Sequence, residues 1–144
     1  MTSTPGKDLR KAIQAESPLQ LVGVTNPYHG VMAKSAGFIA LYLSGSGVAT
    51  ASYGLPDLGM TTLDNVLEDV RRVVTAVDLP LLVDVDTGWG GAFMIARTMK
   101  EMARAGAAGV HIEDQVQAKR CGRRPGTPIV STLVMQEQIN AAAD

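Results

Sequence analysis

The sequence of 144 residues has a single cysteine, few aromatic residues and no excess of charge of either sign. One cysteine, Cys121, excludes an internal disulfide and favours a reducing compartment such as the cytoplasm. A formal net charge of -1 gives no basic surface for nucleic acid. No apolar run approaches the roughly 18 residues of a membrane span, and no apolar segment of a secretory signal follows residues 1–10. We therefore expect a cytoplasmic protein that binds neither nucleic acid nor a membrane.

The composition is that of an ordinary globular domain, with 46% hydrophobic and 19% charged residues. The length predicts one domain over residues 1–144. Short apolar runs alternate with longer helical patterns, and this order predicts a parallel sheet with crossover helices. The predicted strands are residues 19–25, 38–43, 81–85 and 108–112.

The predicted helices lie between and after these strands. The best defined covers residues 63–77, where apolar side chains recur at three- and four-residue spacing and form one face. Thr61 and Asp64 resemble a capping box at its start. The Gly- and Ser-rich stretch after the second strand predicts a loop. The other predicted helices are residues 26–35, residues 92–102 and a last helix that follows Pro128 and reaches Asp144.

Two folds accommodate four βα units, a (β/α)8 barrel and an open doubly wound sheet. Residues 36–44 resemble residues 105–113, so that Tyr42 corresponds to His111 two units further along. A two-unit repeat favours the barrel, whose interior layers are filled from alternate strands. Chance similarity between two buried strands is the alternative. The residues alone leave both folds open. The family resemblance described below implies an α/β fold, a partial (β/α)8 TIM barrel of about four units without its C-terminal half, because a full barrel needs about 250 residues.

Polar residues collect where the predicted strands end, and this is the edge where parallel α/β folds place their sites. Asp84 and Asp86 end the third strand, and His111 and Glu113 end the fourth. Residues two apart on a strand face the same side, so each pair is expected to converge. Clustered carboxylates repel unless they are protonated or bind a cation, and hard oxygen ligands suit Mg²⁺ or Mn²⁺. Helix capping or solvation of these acids is the alternative.

A basic segment surrounds the cysteine, where residues 119–124 read Lys-Arg-Cys-Gly-Arg-Arg. Nearby positive charge stabilises a thiolate, which predicts a reactive Cys121. The same cations could bind substrate carboxylates, and Gly122 lets the backbone approach a ligand closely. The polar loop 114–128 could therefore act as a lid. A solvated basic loop with an uninvolved cysteine is the alternative.

Several short motifs occur together and in a fixed order, at residues 41–45, 54–59, 82–88, 111–115 and 119–122. Together they resemble the isocitrate lyase and phosphoenolpyruvate mutase superfamily over nearly the whole chain. Arg120 and the compact spacing between motifs resemble the methylisocitrate lyases of that superfamily more than the isocitrate lyases.

The resemblance implies a carbon–carbon lyase that cleaves 2-methylisocitrate, a small tricarboxylate, into pyruvate and succinate in the methylcitrate cycle of propionate catabolism. It implies that Asp84 and Asp86 hold Mg²⁺, or alternatively Mn²⁺, with Asp57 and Glu113 reaching the ion through water. Cys121 is the expected catalytic acid. The substrate-binding residues that it implies are Tyr42, Ser44, Gly45, Ser46, Cys121 and Gly122.

The sequence departs from the superfamily pattern at three places. Arg123 stands where a His is usual, Ser46 stands where a Gly is common, and the sequence ends at Asp144. The other functions left open are another superfamily activity, such as isocitrate lyase or phosphonomutase, and a non-catalytic half-barrel. Open sheet edges and exposed apolar surface would favour a homo-oligomer.

Overall fold

The computed structural model describes residues 3–122 and 124–143. Within them, a sheet of four parallel strands has the order β1-β2-β3-β4. Each strand lies beside the one before it, so the sheet winds in one direction as in a barrel and does not reverse as in a doubly wound fold. The strands are β1 Val22–Val24, β2 Leu41–Leu43, β3 Leu81–Asp84 and β4 Gly109–His111. The helices are α1 Pro5–Ala15, α2 Pro27–Ser35, α3 Gly45–Gly47 with a π-helical turn Val48–Ser52, α4 Leu63–Ala76, α5 Ala92–Ala105 and α6 Thr132–Ala143.

All four predicted strands are present at the expected places, although each is shorter than predicted. Residues alternate between the two faces of the sheet. Leu43 of β2 and Val83 of β3 are fully buried in the main apolar core beside the helices. Tyr42 and Leu82, one residue earlier on each strand, face the other side and are only half-buried. This second face corresponds to the interior of a barrel and leads to the strand ends that carry the polar residues.

Helix α4 confirms the strongest helical pattern of the sequence. Its apolar face is buried in the core through Leu63, Val66, Leu67, Val70 and Val73, and burying one such side chain contributes about 1.5–3 kcal/mol.

The start of α4 differs from the prediction by one residue. The capping box is formed by Thr62 and Asn65, whose side chains each accept a hydrogen bond from the other's backbone N–H. The predicted pair, Thr61 and Asp64, is wrong because Thr61 is buried one position earlier. There its carbonyl oxygen accepts a hydrogen bond from the Trp89 indole at 2.9 Å.

Two helical segments were not expected. Helix α1 begins at the N-cap Thr4, whose hydroxyl accepts from the Lys7 amide, and has a proline in its first turn. The stretch after β2 is also helical, because Ser44 caps the start of α3 and Val48 is fully buried beyond it. None of the described helices is long and apolar enough to span a membrane.

The long polar loop after β4 is closed at its base. Gln115 and Ile129 form an isolated antiparallel bridge. The Val130 amide donates to the Asp114 carbonyl at 2.8 Å, and the Val116 amide donates to the Pro128 carbonyl at 3.2 Å. The segment that contains the cysteine therefore projects from a narrow neck, and α6 follows the neck and packs on α5.

Candidate metal and substrate site

Three carboxylates meet at the C-terminal ends of β3 and β4. Asp84, Asp86 and Glu113 each offer one oxygen, and these oxygens all lie within 4.8 Å of one another. Asp84 and Asp86 are buried and Glu113 is half-buried. The predicted convergence of these acids is confirmed.

The way in which Asp84 and Asp86 converge differs from the expectation. Strand β3 ends at Asp84, and Asp86 has left-handed backbone geometry with φ of 49°. The Asp86 amide donates to Asp84 Oδ1 at 3.0 Å, and the Glu113 amide donates to the Asp86 carbonyl at 2.7 Å. A tight turn therefore brings the acids together. Left-handed geometry in a residue other than glycine is uncommon, costs about 1–3 kcal/mol and clusters at functional sites.

The turn after β2 approaches these carboxylates through a glycine. The Gly45 amide donates to Asp84 Oδ2 at 3.1 Å. A Cβ atom at position 45 would lie 2.9 Å from Asp86 Oδ1 and 3.3 Å from Asp84 Oδ2. The predicted site residue Gly45 is thus in direct contact with the acids. Its neighbours have other partners as well, since Ser44 Oγ accepts from the Gly47 amide and the Ser46 carbonyl accepts from Thr50 Oγ1.

A lysine ammonium lies among the carboxylates. Lys119 is almost fully buried, and its Nζ lies 2.5 Å from Asp86 Oδ1, 3.0 Å from Asp57 Oδ1 and 3.7 Å from Glu113 Oε1. The sequence groups Lys119 with the cations near Cys121, and in the structure the Lys119 side chain pairs with the strand-end acids. The same contact draws Asp57, from the loop before α4, into the group.

The pKa values of the site follow from burial and from these pairs. Burial raises the pKa of the Asp86 carboxyl, against the opposing effect of the Lys119 ammonium. Burial likewise raises the pKa of Glu113. Burial alone would lower the pKa of Lys119, but its ion pairs with Asp86 and Asp57 outweigh burial and raise it.

The carboxylate oxygens of this cluster are suitable ligands for a divalent cation. Asp86 Oδ1 is buried and accepts no hydrogen bond of ordinary geometry from the residues described here, although the Lys119 ammonium lies close to it. One ammonium faces the carboxylates of Asp57, Asp86 and Glu113, with Asp84 beside them, so negative charge is left over. Hard oxygen ligands in this number suit Mg²⁺ or Mn²⁺.

The side chains of Tyr42 on β2 and His111 on β4 contact each other across the intervening strand β3. The Tyr42 hydroxyl lies 3.2 Å from His111 Nδ1, which lies 3.9 Å from Asp84 Oδ1. Burial, followed by the negative charge of Asp84, raises the pKa of Tyr42 to about 12. The phenol therefore keeps its proton at neutral pH and can donate it to an oxygen ligand. These residues correspond in the internal repeat and lie on alternate strands, as the barrel prediction requires.

Gln115 connects the acids to the loop, a role that the sequence did not reveal. Its buried amide nitrogen donates to Glu113 Oε2 at 2.7 Å, and its oxygen accepts from the Arg120 amide at 3.1 Å. Cys121 is half-buried, and its carbonyl accepts from the Arg124 amide. Gly122 lies beside Gln115, where a Cβ would be 3.7 Å from the amide nitrogen. The expectation for Arg123 lies outside the described residues.

The consecutive parallel strands are those of half a TIM barrel, and the acids at their C-terminal ends form a cluster that can hold a metal ion. Residues 9–144 match the phosphoenolpyruvate phosphomutase family, and the chain belongs to that family.

Sequence and structure comparisons agree on this family. The chain is 60% identical over 144 residues to a 2-methylisocitrate lyase of Vibrio cholerae, covering all of this chain and 47% of that protein. It resembles the crystal structure of 2,3-dimethylmalate lyase, with a TM-score of 0.86 and 37% identity, over 99% of this chain and 48% of that one. It also resembles a phosphonopyruvate hydrolase in complex with oxalate and Mg²⁺, with a TM-score of 0.78 and 28% identity, over 98% of this chain and 48% of that one. The chain spans about half the length of the curated relatives it matches.

Proposed function

We propose that the whole protein is a carbon–carbon lyase that cleaves 2-methylisocitrate into pyruvate and succinate, and that this chain contributes its metal-binding half. The observation that carries the proposal is the identity of 60% to a 2-methylisocitrate lyase along the full chain. The carboxylate cluster at the strand ends supports it, because the cluster provides the oxygen ligands that such a site needs.

We assign Asp84 and Asp86 as the residues that hold Mg²⁺, with Mn²⁺ as a substitute, and Asp57 and Glu113 as residues that reach the ion through water. The proximity of the three cluster oxygens and the excess of carboxylates over the single Lys119 ammonium support this assignment. The Mg²⁺ complex of the related phosphonopyruvate hydrolase favours the same ion here. A bound divalent cation stabilises the negative charge that develops on the pyruvate portion of the substrate.

The residues around the ion then have separate tasks. We assign Tyr42, Ser44, Gly45 and Ser46 to the carboxylate and oxygen groups of the substrate, since they lie at the end of β2 and Gly45 contacts the acids. In the cleavage, the substrate hydroxyl loses its proton and becomes the ketone of pyruvate. The electron pair of the broken carbon–carbon bond stays on the succinate carbon.

We assign Cys121 as the acid that protonates this carbon, and Gly122 as its neighbour on the loop over the substrate. The contacts at the neck hold the base of this loop, and Lys119 and Gln115 hold the segment next to Cys121 beside the acids, which supports its assignment to the site.

The metal assignment is tested by titration calorimetry with Mg²⁺ and Mn²⁺. The chain should bind either ion, and Asp84→Ala should abolish binding because two of the cluster's backbone contacts also end on Asp84. Asp64→Ala, which removes an exposed carboxylate at the start of α4, is the matched control and should bind normally. Equal binding by the chain and by Asp84→Ala would refute the assignment.

The lyase assignment is tested by measuring pyruvate released from 2-methylisocitrate. The 144 residues alone should show little or no activity, because the described residues form four strands and a full barrel has eight. Adding the second half from a full-length relative should restore activity, and Cys121→Ser should lower it again. Full activity in the complemented Cys121→Ser protein would remove Cys121 from the mechanism.

A non-catalytic half-barrel is the second candidate, and exposed apolar side chains on the described residues favour it. Phe93 is 97% exposed, and Leu133 and Ile129 are 65% and 64% exposed. We propose that the isolated chain forms a homo-oligomer that covers such surface. Light scattering should show a species larger than 15.1 kDa, and a stable monomer at high concentration would contradict the proposal. A cytoplasmic location stays a prediction from the single cysteine.

A further inference from the structure

We propose that Lys119 and a divalent cation compete for the same carboxylate oxygens, so that cation binding displaces the lysine and frees the loop that carries Cys121. This inference rests on the proposed metal site and adds a role for a residue that the metal assignment does not use. Lys119 is a positioning residue in this proposal, since it acts through the acids and the loop.

The position of the Lys119 ammonium is the evidence that it would compete with a bound cation. Lys119 Nζ is nearest to Asp86 Oδ1, at 2.5 Å, and this is the buried oxygen that lacks an ordinary hydrogen bond. A magnesium ion held by a carboxylate sits about 2.0–2.1 Å from its oxygen ligand. A divalent ion on this oxygen would therefore lie within a few ångströms of the ammonium. Two cations so close in a buried site repel strongly, so the ion and the ammonium cannot both occupy Asp86 Oδ1.

The lysine side chain is held along its length, and not only at its tip. Gly59 has left-handed geometry with φ of +65°, and a Cβ there would lie 3.1 Å from Lys119 Cγ. The stem thus packs directly on the backbone of residue 59. A cavity of about 190 Å³ opens beside it, bounded among others by Asp86, Thr87 and Trp89. This cavity gives space for a hydrated ion to enter and for the ammonium to leave.

The connection from lysine to loop is short. Lys119 is two residues before Cys121, and the neck between Gln115 and Ile129 anchors the segment on the other side of Lys119. Among residues 114–122, the other tie to the acids is the Gln115 side chain, which accepts from the Arg120 amide and donates to Glu113. Loss of the Lys119 ion pairs would leave this neutral side chain to connect the described part of the segment with the acids.

The experiment follows cation binding and loop exposure together. Mn²⁺ affinity is measured by calorimetry, and the alkylation rate of Cys121 by iodoacetamide reports the loop, because the sequence has no other cysteine. The variants are Lys119→Met and Lys119→Gln, with Lys100→Met, an exposed lysine of α5, as the matched control. Circular dichroism checks that each variant folds, and Lys119→Gln serves if the methionine variant does not.

In the unaltered chain and in the control, alkylation should accelerate as Mn²⁺ is added, with a midpoint at the Kd for Mn²⁺. In Lys119→Met, alkylation should be fast and independent of Mn²⁺. If the state in which Lys119 pairs with the acids outweighs the state in which it does not by about ten to one, removing the lysine should tighten apparent Mn²⁺ affinity about tenfold. A tighter site by itself could reflect the lost positive charge, so the loss of coupling to the loop is the decisive result.

The outcomes separate this inference from the metal site on which it rests. Mn²⁺ binding without any change in Cys121 alkylation would overturn the competition and leave the metal site intact. Weaker Mn²⁺ binding in both lysine variants would also overturn it, because Lys119 would then support the ion. Absence of Mn²⁺ binding in the unaltered chain and in both variants would overturn the metal site, and the competition with it.

Discussion

Substitution of Gly45 by alanine should damage the carboxylate cluster more than its size suggests. The glycine amide donates to Asp84 Oδ2 at 3.1 Å, so the backbone of residue 45 already touches the acids. A Cβ there would lie 2.9 Å from Asp86 Oδ1, which is closer than real Cβ contacts come. Either the turn after β2 or the Asp86 carboxylate must move, and the hydrogen bond to Asp84 is lost or stretched.

The expected magnitude follows from these contacts. Overpacking of a tight site costs about 1–3 kcal/mol, which corresponds to a fall in Tm of roughly 3–10 °C for a chain of this size. Displacing the groups that orient metal-binding residues costs about 10- to 100-fold in metal affinity. We therefore expect Gly45→Ala to fold with a lower Tm and to bind Mn²⁺ at least about tenfold more weakly than the unaltered chain.

The assay combines thermal unfolding with Mn²⁺ titration calorimetry. Gly91→Ala is the matched control, because position 91 is exposed, has φ of -79° and has no atom within 4 Å of a built Cβ. It should leave Mn²⁺ affinity nearly unchanged, and its Tm should fall slightly because Gly91 is the N-cap of α5, where alanine is less favourable than glycine. The reasoning is refuted if Gly45→Ala binds Mn²⁺ as tightly as Gly91→Ala does.

Three further predictions concern protons and the loop. Burial raises the pKa of Asp86 and of Glu113 above their usual 3.8 and 4.5. Protons therefore compete with the cation at a higher pH than they would at exposed carboxylates, and calorimetry should show that Mn²⁺ affinity begins to fall at a pH above those usual values. The pKa of Lys119 is raised in the folded chain above its usual 10.5, so the charged lysine stabilises the fold below pH 10.5 and this stability is lost as pH rises further. Urea unfolding should therefore show that the unaltered chain loses its stability advantage over Lys119→Met above that pH. Gln115→Leu removes the partner of the Arg120 amide and of Glu113, so it should lower the free energy of unfolding in urea by about 1–3 kcal/mol. It should also speed the alkylation of Cys121 in the absence of metal. An unchanged alkylation rate would contradict the role of Gln115.

Much of the fold could be read from local patterns in the sequence. The spacing of Leu63, Val66, Leu67 and Val70 predicted α4 because a helix puts such positions on one face whatever it packs against. The strands were predicted because each is a short apolar run between helical patterns. The one-residue error at Thr61 arose because two threonines stand side by side, and only the burial of the first decides which one caps the helix.

The site was predictable only in part. The sequence indicated that Asp84, Asp86 and Glu113 lie near one another, since each follows a strand of a parallel sheet. It gave the wrong reason for the first two, because the left-handed turn at Asp86 is not a strand geometry. The contact between Tyr42 and His111 was not predicted, because the internal repeat marks equivalent positions and not a distance.

The amino-acid sequence by itself thus determined the order of the βα units, the buried face of α4 and the edge at which the acids collect. Only the tertiary structure decided that Lys119 pairs with Asp86 and Asp57, and that Gln115 ties the loop to Glu113. The physical reason is the range of the interactions. Periodicity and capping act over a few neighbouring residues, whereas a buried ion pair forms wherever folding brings a cation to carboxylates that have lost their water.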